Sequence, residues 1–598
     1  MAPAGRNRCP GPLRAGDARR RAVRRGGGRG ARHARRARDP RSRPLRRRGD
    51  RDHRRSAHRE GDDAMRNGGP ERPGPDSAAT LVASVTDRLA PLDLALAEAW
   101  WASSTSASPA ADAHRAAADL ARREVLADPD AFAAVTAAIE GGRADPELAR
   151  CLELLRDGML PHQLPGDLLR ALVDLETAVD ARYTAFRADL DGTRVDNNAL
   201  LEILRTSDDS EERRAAWEAG KQIGAEVADD VRALARLRNE GARALGYRDH
   251  FALALATGSL DEARLFATLA EVEHLTDAPF RAWKAQLDAG LAARFVVDVD
   301  ALAPWHLDDP FFQDPPIAGA VDLDACFADA DLEALTVRTF SGLGLDIERS
   351  LRASDLYARA GKSQHAFCIN LDRAADVRVL CNVEPNERWA DTMLHEFGHA
   401  IYDLELDSTL PWLLREPAHP LTTEGIAMMF GRLVRDPGWL RDVAGIPDAV
   451  LADLAPRLGA ATRASLLVFA RWVLVVTHFE RRLYADPDAD LDTVWWDLVE
   501  RFQLVRRPAG RSHPDWAAKI HIAVVPVYYQ NYLYGEMFAS QLLATLRERT
   551  GGLVDRPEAG AYLRDIVFRP AARDRWDKLV ADATGAPLGA RSFAADLA

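Results

Sequence analysis

The stretch Leu394-His395-Glu396-Phe397-Gly398-His399-Ala400 has the pattern H-E-x-x-H and predicts the centre of the fold. His395 and His399 are four residues apart, so on a helix both imidazoles lie on one face and can share a metal ion. Residues 387–405 contain no proline and repeat apolar residues at helical spacing. Neutral imidazole is a good zinc ligand, and Glu396 lies where it can accept a proton from a metal-bound water. The stretch predicts a helix that carries part of a catalytic zinc site.

The motif alone also fits two histidines that are solvated or hydrogen-bonded and bind no metal. A third ligand is therefore needed to predict a metal site. Glu424 lies in a second run typical of a helix and would complete a His2Glu zinc site. Glu405 is six residues after His399, which turns it away from the metal on a continuing helix. Glu416 is chemically suitable but precedes Pro417 in a segment typical of a loop. Glu424 is therefore the predicted ligand.

Segment 395–424 resembles the angiotensin-converting-enzyme (peptidyl-dipeptidase A) family of zinc metallopeptidases. The specific part is Leu414-Arg415-Glu416-Pro417-Ala418-His419-Pro420 followed by Glu424, which matches the family pattern L-R-E-x-A-x-P-x-x-x-E. Phe397-Gly398-His399-Ala400 is also similar to the thimet and oligoendopeptidase family. The resemblance implies a gluzincin-type peptidase with one Zn²⁺ per chain.

In that resemblance His395, His399 and Glu424 are the zinc ligands and Glu396 is the general base. The family's supporting aspartate, four residues after the ligand glutamate, is replaced by Met428. Outer partners orient metal ligands, so this position bears on metal affinity. Asp403, one turn after His399, is either a substitute for that aspartate or a surface residue.

The resemblance extends to residues that would hold a peptide. Lys519 and Tyr528 match groups that bind the substrate's C-terminal carboxylate, and so does Gln313, although its spacing is one residue shorter than in the family. His365, which is followed by Ala366, and His521 match histidines that bond substrate carbonyls. The resemblance therefore implies a pocket for a free C-terminus.

The tyrosine that stabilises the oxyanion is placed by alignment. Without a gap its position falls on Asn531, and a one-residue insertion gives Tyr532. Tyr532 is the predicted residue, with Tyr529 as the alternative. Gln530 stands where the family often has a chloride-binding arginine, which argues against chloride activation.

The implied activity is release of dipeptides from the free C-terminus of short peptides, a peptidyl-dipeptidase or dipeptidyl carboxypeptidase reaction. The alternative is a zinc oligoendopeptidase that cuts short peptides internally and needs no pocket at Lys519. An inactive, metal-free relative that serves as a binding module would have lost a ligand or Glu396, and neither is lost.

The expected fold is mainly α, with two helical halves flanking a deep cleft. Two β-rich runs, 364–369 and 377–383, predict a hairpin beside the zinc helix. An edge strand there could pair its backbone with an extended peptide. The two-halves architecture comes from the resemblance.

Composition is typical of a globular protein, with 47% hydrophobic residues in a chain of 598. The five cysteines make no metal spacing, and Gln364 replaces the family's cysteine that pairs with the Cys381 position. Both features predict reduced thiols and a cytoplasmic location. The most apolar run, 466–476, is interrupted by Arg471 and is too short to cross a membrane.

Residues 1–64 contain 22 arginines, no lysine and 7 acidic residues, whereas the rest of the chain is acidic. Such a basic tail would suit nucleic acid. The tail has no apolar periodicity, and Met65 follows it directly. We therefore favour a disordered tail or a translation start assigned too early. No nucleic-acid partner is expected. Residues 1–78 are therefore predicted as tail and linker, and residues 79–598 as one peptidase domain of two helical subdomains.

Overall fold

Helices form most of the chain in the computed structural model, as its alanine- and leucine-rich composition indicates. The structure describes residues 75–106, 108–142, 144–316, 323–359, 361–363 and 365–597. Their two sheets are both small two-stranded antiparallel hairpins, so the predicted mainly α fold is confirmed. Nearly all of the predicted tail and linker lies outside the described residues, and the first helix begins at Pro75. The division into domains stays a prediction.

The α-helices of the described residues are α1 (Pro75–Ser106), α2 (Pro109–Leu126), α3 (Pro129–Gly141), α4 (Pro146–Met159), α5 (Gly166–Ala185), α6 (Asn197–Thr206), α7 (Ser210–Ala244), α8 (His250–Thr257), α9 (Glu262–Phe295), α10 (Asp324–Phe327), α11 (Leu332–Gly342), α12 (Glu348–Ala353), α13 (Glu387–Leu404), α14 (Pro420–Gly431), α15 (Pro437–Asp442), α16 (Asp448–Ala485), α17 (Leu491–Gln503), α18 (Ile520–Val524), α19 (Tyr529–Thr550), α20 (Pro557–Tyr562), α21 (Trp576–Thr584) and α22 (Arg591–Ala595). The strands are β1 (Ala188–Leu190), β2 (Thr193–Val195), β3 (Phe367–Asn370) and β4 (Val377–Leu380). Leu563–Phe568 is a π-helical turn.

The predicted hairpin before the zinc helix is confirmed as β3 and β4, in which Cys368 lies opposite Val379. The backbone of Val379 is used on its other side, where its N–H donates to Ser354 and its C=O accepts from Asp355. Cys368 and Val379 therefore do not bond each other, since an antiparallel ladder alternates bonded and non-bonded pairs. The N–H of Cys368 points away from β4, which leaves β3 as an edge that faces α13.

Two close helix contacts set the positions of α13, α14 and α19. A Cβ atom at Gly398 of α13 would lie 2.9 Å from Cα of Ala427 in α14. A Cβ atom at Gly425 of α14 would lie 2.9 Å from the carbonyl oxygen of Gly535 in α19, and 2.7 Å from the ring of Phe538. Both distances are shorter than real Cβ contacts, so only glycine allows these three backbones to approach so closely.

The longest helix, α16, crosses the middle of the core. Its residues from Leu466 to Thr477 are almost all buried, including Arg471 and Trp472. By length and composition alone α16 is the one described helix that could cross a membrane, and most of its apolar window is buried inside the protein. We interpret α16 as a core helix, although its length does not support the expectation that this region is too short to cross a membrane.

Candidate active site

The two histidines of the H-E-x-x-H motif and Glu424 converge at one point between α13 and α14. Oε2 of Glu424 lies 3.7 Å from Nε2 of His395 and 3.7 Å from Nε2 of His399. All three donor atoms lie within 4.8 Å of one another. The helical spacing predicted from the sequence thus brings the three donors together, with Glu424 rather than Glu405 or Glu416 beside the histidines.

The protein does not provide hydrogen-bond partners for all of the donor atoms. Oε2 of Glu424 is buried without a hydrogen-bond partner, while Oε1 accepts from the hydroxyl of Tyr528 at 3.3 Å. Burial raises the pKa of Glu424 to about 7, although the bond from Tyr528 lowers it. Burial also lowers the pKa of His395 to about 4 and that of His399 well below its usual range, so both imidazoles are neutral. Two neutral imidazoles and a carboxylate with an unpaired oxygen fit a zinc ion.

The second nitrogen of His399 has its own partner. Oγ1 of Thr423 lies 2.6 Å from Nδ1 of His399, so the residue before the third ligand fixes the ring of the second. Sequence reasoning missed this contact, and the only available signal was a hydroxyl residue next to the ligand glutamate. Asp403 does not take this role: its carboxylate accepts instead from the side chain of Asn370 on β3.

Glu396 lies beside the donors and is buried. The backbone N–H of Cys368 on the edge of β3 donates to its carboxylate. Burial and, less strongly, the charge of Glu424 raise the pKa of Glu396 to about 8. A carboxyl group with a raised pKa, held against a metal site, is suited to accept and return a proton near neutral pH.

A cleft of about 1080 Å³ opens over this site. One wall is the edge strand β3, and another is helix α1, which presents the partly exposed side chains of Leu94 and Trp100. The zinc donors, Glu396, Tyr528 and Tyr532 line the same cleft. An extended peptide fits such a cleft better than a folded protein, because α1 and β3 close it on two sides.

Lys519 and Gln313 are also brought together, although they lie far apart in the sequence. Nζ of Lys519 donates to Oε1 of Gln313 at 2.8 Å, and Nε2 of Gln313 donates to Oδ2 of Asp309 at 3.0 Å. Burial lowers the pKa of Lys519, while Asp309 and Asp314 act in the opposite direction. The pair implied by the resemblance is thus a buried ammonium with an amide beside it, and neither side chain is among those that line the cleft.

The three tyrosines have different surroundings. Tyr532 lines the cleft near the carboxylates of Glu424 and Glu396, and burial raises its pKa. Tyr528, predicted as a ligand of the substrate carboxylate, donates to Glu424 and so lies at the metal donors, and its role toward a substrate stays a prediction. Tyr528 is the residue just before the first turn of α19. Tyr529 is buried, with its ring 5.7 Å from Nζ of Lys519.

The two predicted carbonyl-binding histidines lie near each other. Burial lowers the pKa of His521 to about 4, and Lys519 and His365 lower it further through their charges. The ring of His521 packs on Tyr529 with 5.0 Å between centroids. His365 is exposed, and Ala366 after it lines the cleft at the start of β3. Their roles toward a substrate stay predictions.

A helical protein with a His2Glu donor set and an adjacent glutamate has the site of a zinc metallopeptidase. Residues 349–595 match the family model of Peptidase family M3. The match is shorter than half of the chain, but it contains β3, α13, α14 and α19 and therefore every donor of the site. The chain thus carries the domain of a zinc metallopeptidase. No curated protein matches the chain.

Proposed function

We propose that the protein is a peptidyl-dipeptidase that releases dipeptides from the free C-terminus of short peptides. The observation that carries this proposal is the hydrogen bond between Lys519 and Gln313, which provides a buried ammonium for a carboxylate. Lys519 packs against the rings of Phe311, Trp472 and Tyr529, at 5.4 to 5.7 Å from their centroids, so little water competes with a bound carboxylate. An internal cut would not require this pocket.

Zinc bound to His395, His399 and Glu424 would supply an acidified water and polarise the scissile carbonyl. Glu396 takes the proton of the attacking water and later gives it to the leaving amine. Its bond from the N–H of Cys368 holds the carboxylate against the edge strand, next to the substrate backbone. Thr423 holds the ring of His399 in one orientation.

The hydroxyl of Tyr532 is the donor we assign to the oxyanion. It lies near both carboxylates of the site, lines the cleft and carries its proton at neutral pH because burial raises its pKa. Tyr528 is already bonded to Glu424, so it supports the ligand rather than the substrate. His521 and His365 are assigned to substrate carbonyls on the Lys519 side.

The edge of β3 is the surface we assign to the peptide backbone. The N–H of Cys368 already points away from β4, and the edge lines the cleft along its length. An extended peptide added to this edge would pair alternate backbone groups with β3 and direct the others toward α13. Short, unfolded peptides are therefore the substrate class.

The test uses the full chain loaded with zinc and two hexapeptides that differ only in a free or amidated C-terminus. Mass spectrometry should show loss of a dipeptide from the free acid alone, and a chelator should abolish it. Lys519→Met, which keeps the length of the side chain without its charge, should raise KM for the free acid. Internal cuts in both peptides would establish the oligoendopeptidase, which the Phe397-Gly398-His399-Ala400 segment favours.

The cellular location is proposed on the thiols. Cys151, Cys368 and Cys381 form no disulfide with another of the described residues, and burial raises the pKa of Cys368 and Cys381. Unpaired buried thiols are typical of reducing compartments, so we propose the cytoplasm. Nucleic acid has no place in the proposed reaction.

A further inference from the structure

Four side chains on helix α13 recur at intervals of four residues. They are Asp391, His395, His399 and Asp403, so an aspartate precedes and another follows the two metal donors. Four residues of helix rise by about 6 Å, which puts Asp403 one turn beyond His399 on nearly the same face. Asp403 lines the same cleft as the donors.

Asp403 has no cationic partner among the described residues. Its neighbour Arg373 is already used: its guanidinium lies 2.7 Å from Asp93 and 2.7 Å from Glu416. The side chain of Asn370 donates to Asp403. Burial and, less strongly, the charge of Glu416 raise the pKa of Asp403 to about 7, while Arg373 acts in the opposite direction. Arg122 and Arg415 also line the cleft, but Arg122 bonds Asp93 and Arg415 donates to the carbonyl oxygen of Leu410. Asp403 therefore faces the cleft without an ion pair of its own.

Strand β3 runs between two charged groups: Asp403, which lines the cleft, and Lys519, which does not itself line it. His365 at its start lies near His521 and Lys519, whereas Asn370 at its end bonds Asp403. Five residues of strand span about 17 Å. The buried ammonium thus lies at one end of the edge strand, the buried carboxylate at the other, and the metal donors between them.

We propose that Asp403 binds a positive charge in the N-terminal part of the substrate, on the side of the zinc opposite Lys519. The cation is either the free α-ammonium of a short peptide or a lysine or arginine side chain. This inference rests on the proposed function, since it takes the peptide to run antiparallel to β3 with its carboxylate at Lys519. If Asp403 binds the N-terminal charge and Lys519 the C-terminal carboxylate, zwitterionic peptides of about four to six residues match the length of strand between them.

A merely structural role for Asp403 would be to tie β3 to α13 through Asn370. Asp403→Asn separates the two roles, because an amide oxygen still accepts from Asn370 but carries no charge. Asn370→Ala is the companion variant, since it removes the tie and keeps the carboxylate, and it also removes the acceptor of the Arg373 N–H. A structural role would change the rates of all peptides alike in either variant.

The experiment compares kcat/KM for peptides of four to six residues with free and acetylated N-termini, and for pairs with arginine or citrulline upstream of the cut. The natural chain should prefer the charged member of one pair by about tenfold. Asp403→Asn should bring that preference close to one, with the neutral peptide cleaved within about twofold of the natural rate, while Asn370→Ala should keep the preference. The free and acetylated peptides test whether Asp403 binds the α-ammonium. The arginine and citrulline peptides test whether it binds a basic side chain.

An unchanged preference in Asp403→Asn, or no preference in the natural chain, would overturn the inference. The affinities of zinc-loaded Glu396→Gln for the same peptide pairs, measured by calorimetry, give a second readout that needs no hydrolysis. Failure of the proposed function gives a different result: peptides with free and amidated C-termini would be cleaved equally well.

Discussion

Oγ1 of Thr423 lies 2.6 Å from Nδ1 of His399, so α14 supplies both the third metal donor and the partner that orients the second. Thr423→Val removes the hydroxyl at nearly constant volume. Losing such an outer partner typically costs about 10- to 100-fold in metal affinity, and we expect a loss in this range. Competition with a chromophoric chelator measures the zinc Kd. Thr423→Ser keeps the hydroxyl and should stay close to the natural value; equal Kd values for all three proteins would refute the contact's importance.

Changing Glu396 or Glu424 to glutamine should affect different properties of the enzyme, catalysis in the first case and zinc binding in the second. Glu396→Gln should keep zinc and lose about 10²–10⁴-fold in kcat, because the proton acceptor is gone. Glu424→Gln should lose zinc, because one donor becomes neutral. Metal content by mass spectrometry and peptide hydrolysis together separate the two effects.

Glu405→Gln is the control for this pair. Glu405 bonds Nε of Arg564 at 2.9 Å, away from the donors, so zinc content and kcat should stay unchanged. Zinc loss in Glu405→Gln, with zinc retained in Glu424→Gln, would mean that the ligand has been misassigned.

Tyr532→Phe tests the oxyanion donor. Removing one such donor typically costs about 10²–10³-fold in kcat, with little change in KM, because the bond forms only as charge develops on the carbonyl oxygen. Tyr529→Phe is the comparison, since Tyr529 is buried against Trp472 and His521. A larger kcat loss in Tyr529→Phe than in Tyr532→Phe would reverse the assignment.

The parts of the site that follow local periodicity were predictable from the sequence. His395 and His399 lie on one helix, and Glu424 lies in a run whose helical pattern is equally local. The contact between Lys519 and Gln313 joins distant segments, and only the resemblance pointed to it. Thr423 escaped prediction because nothing in a sequence shows which hydroxyl faces an imidazole. The hydrogen bond between Tyr528 and Glu424 was not predicted, because the chain direction just before α19 depends on tertiary contacts.

In the fold too, locally determined features were predictable from the sequence, and features that depend on packing were not. The mainly α class follows from composition and spacing, and the β3–β4 hairpin from its β-rich runs. The short hairpin β1–β2 has three residues in each strand and was not predicted, since so few residues give no clear alternation. The close approach of α13, α14 and α19 rests on glycines whose neighbours are known only once the helices are packed.

Gly425→Ala tests this packing. The added methyl would lie 2.9 Å from the carbonyl oxygen of Gly535, so α14 and α19 must separate. Overpacking of this kind typically costs about 1–3 kcal/mol, and we expect a lower melting temperature. Because α14 carries Glu424 and α19 carries Tyr532, kcat should fall as well. Gly290→Ala in α9 is the matched control: no heavy atom lies within 4 Å of its added Cβ, so it should be neutral or stabilising by up to about 1 kcal/mol. Equal effects of both changes would contradict the packing argument.

The buried carboxyl of Glu480 in α16 predicts a pH dependence of stability. Its Oε1 accepts from the N–H of Val527 at 2.7 Å, which holds the chain just before Tyr528, while Oε2 has no partner. Burial raises the pKa of Glu480 to about 8 in the folded state, although the bond from Val527 and the charge of Arg238 lower it.

A folded pKa above the unfolded value means that the folded state holds the proton longer. The stabilising contribution is therefore complete below the unfolded pKa of about 4.5 and is lost as the pH rises through about 8. Glu480→Gln keeps an acceptor for Val527 and removes the titration. Melting curves of zinc-loaded protein at several pH values from 6 to 8 should show a smaller fall in Tm for Glu480→Gln than for the natural chain. Glu480→Ala, which loses the acceptor, should be less stable at every pH. Parallel Tm curves for the natural chain and Glu480→Gln would show that Glu480 does not titrate in this range.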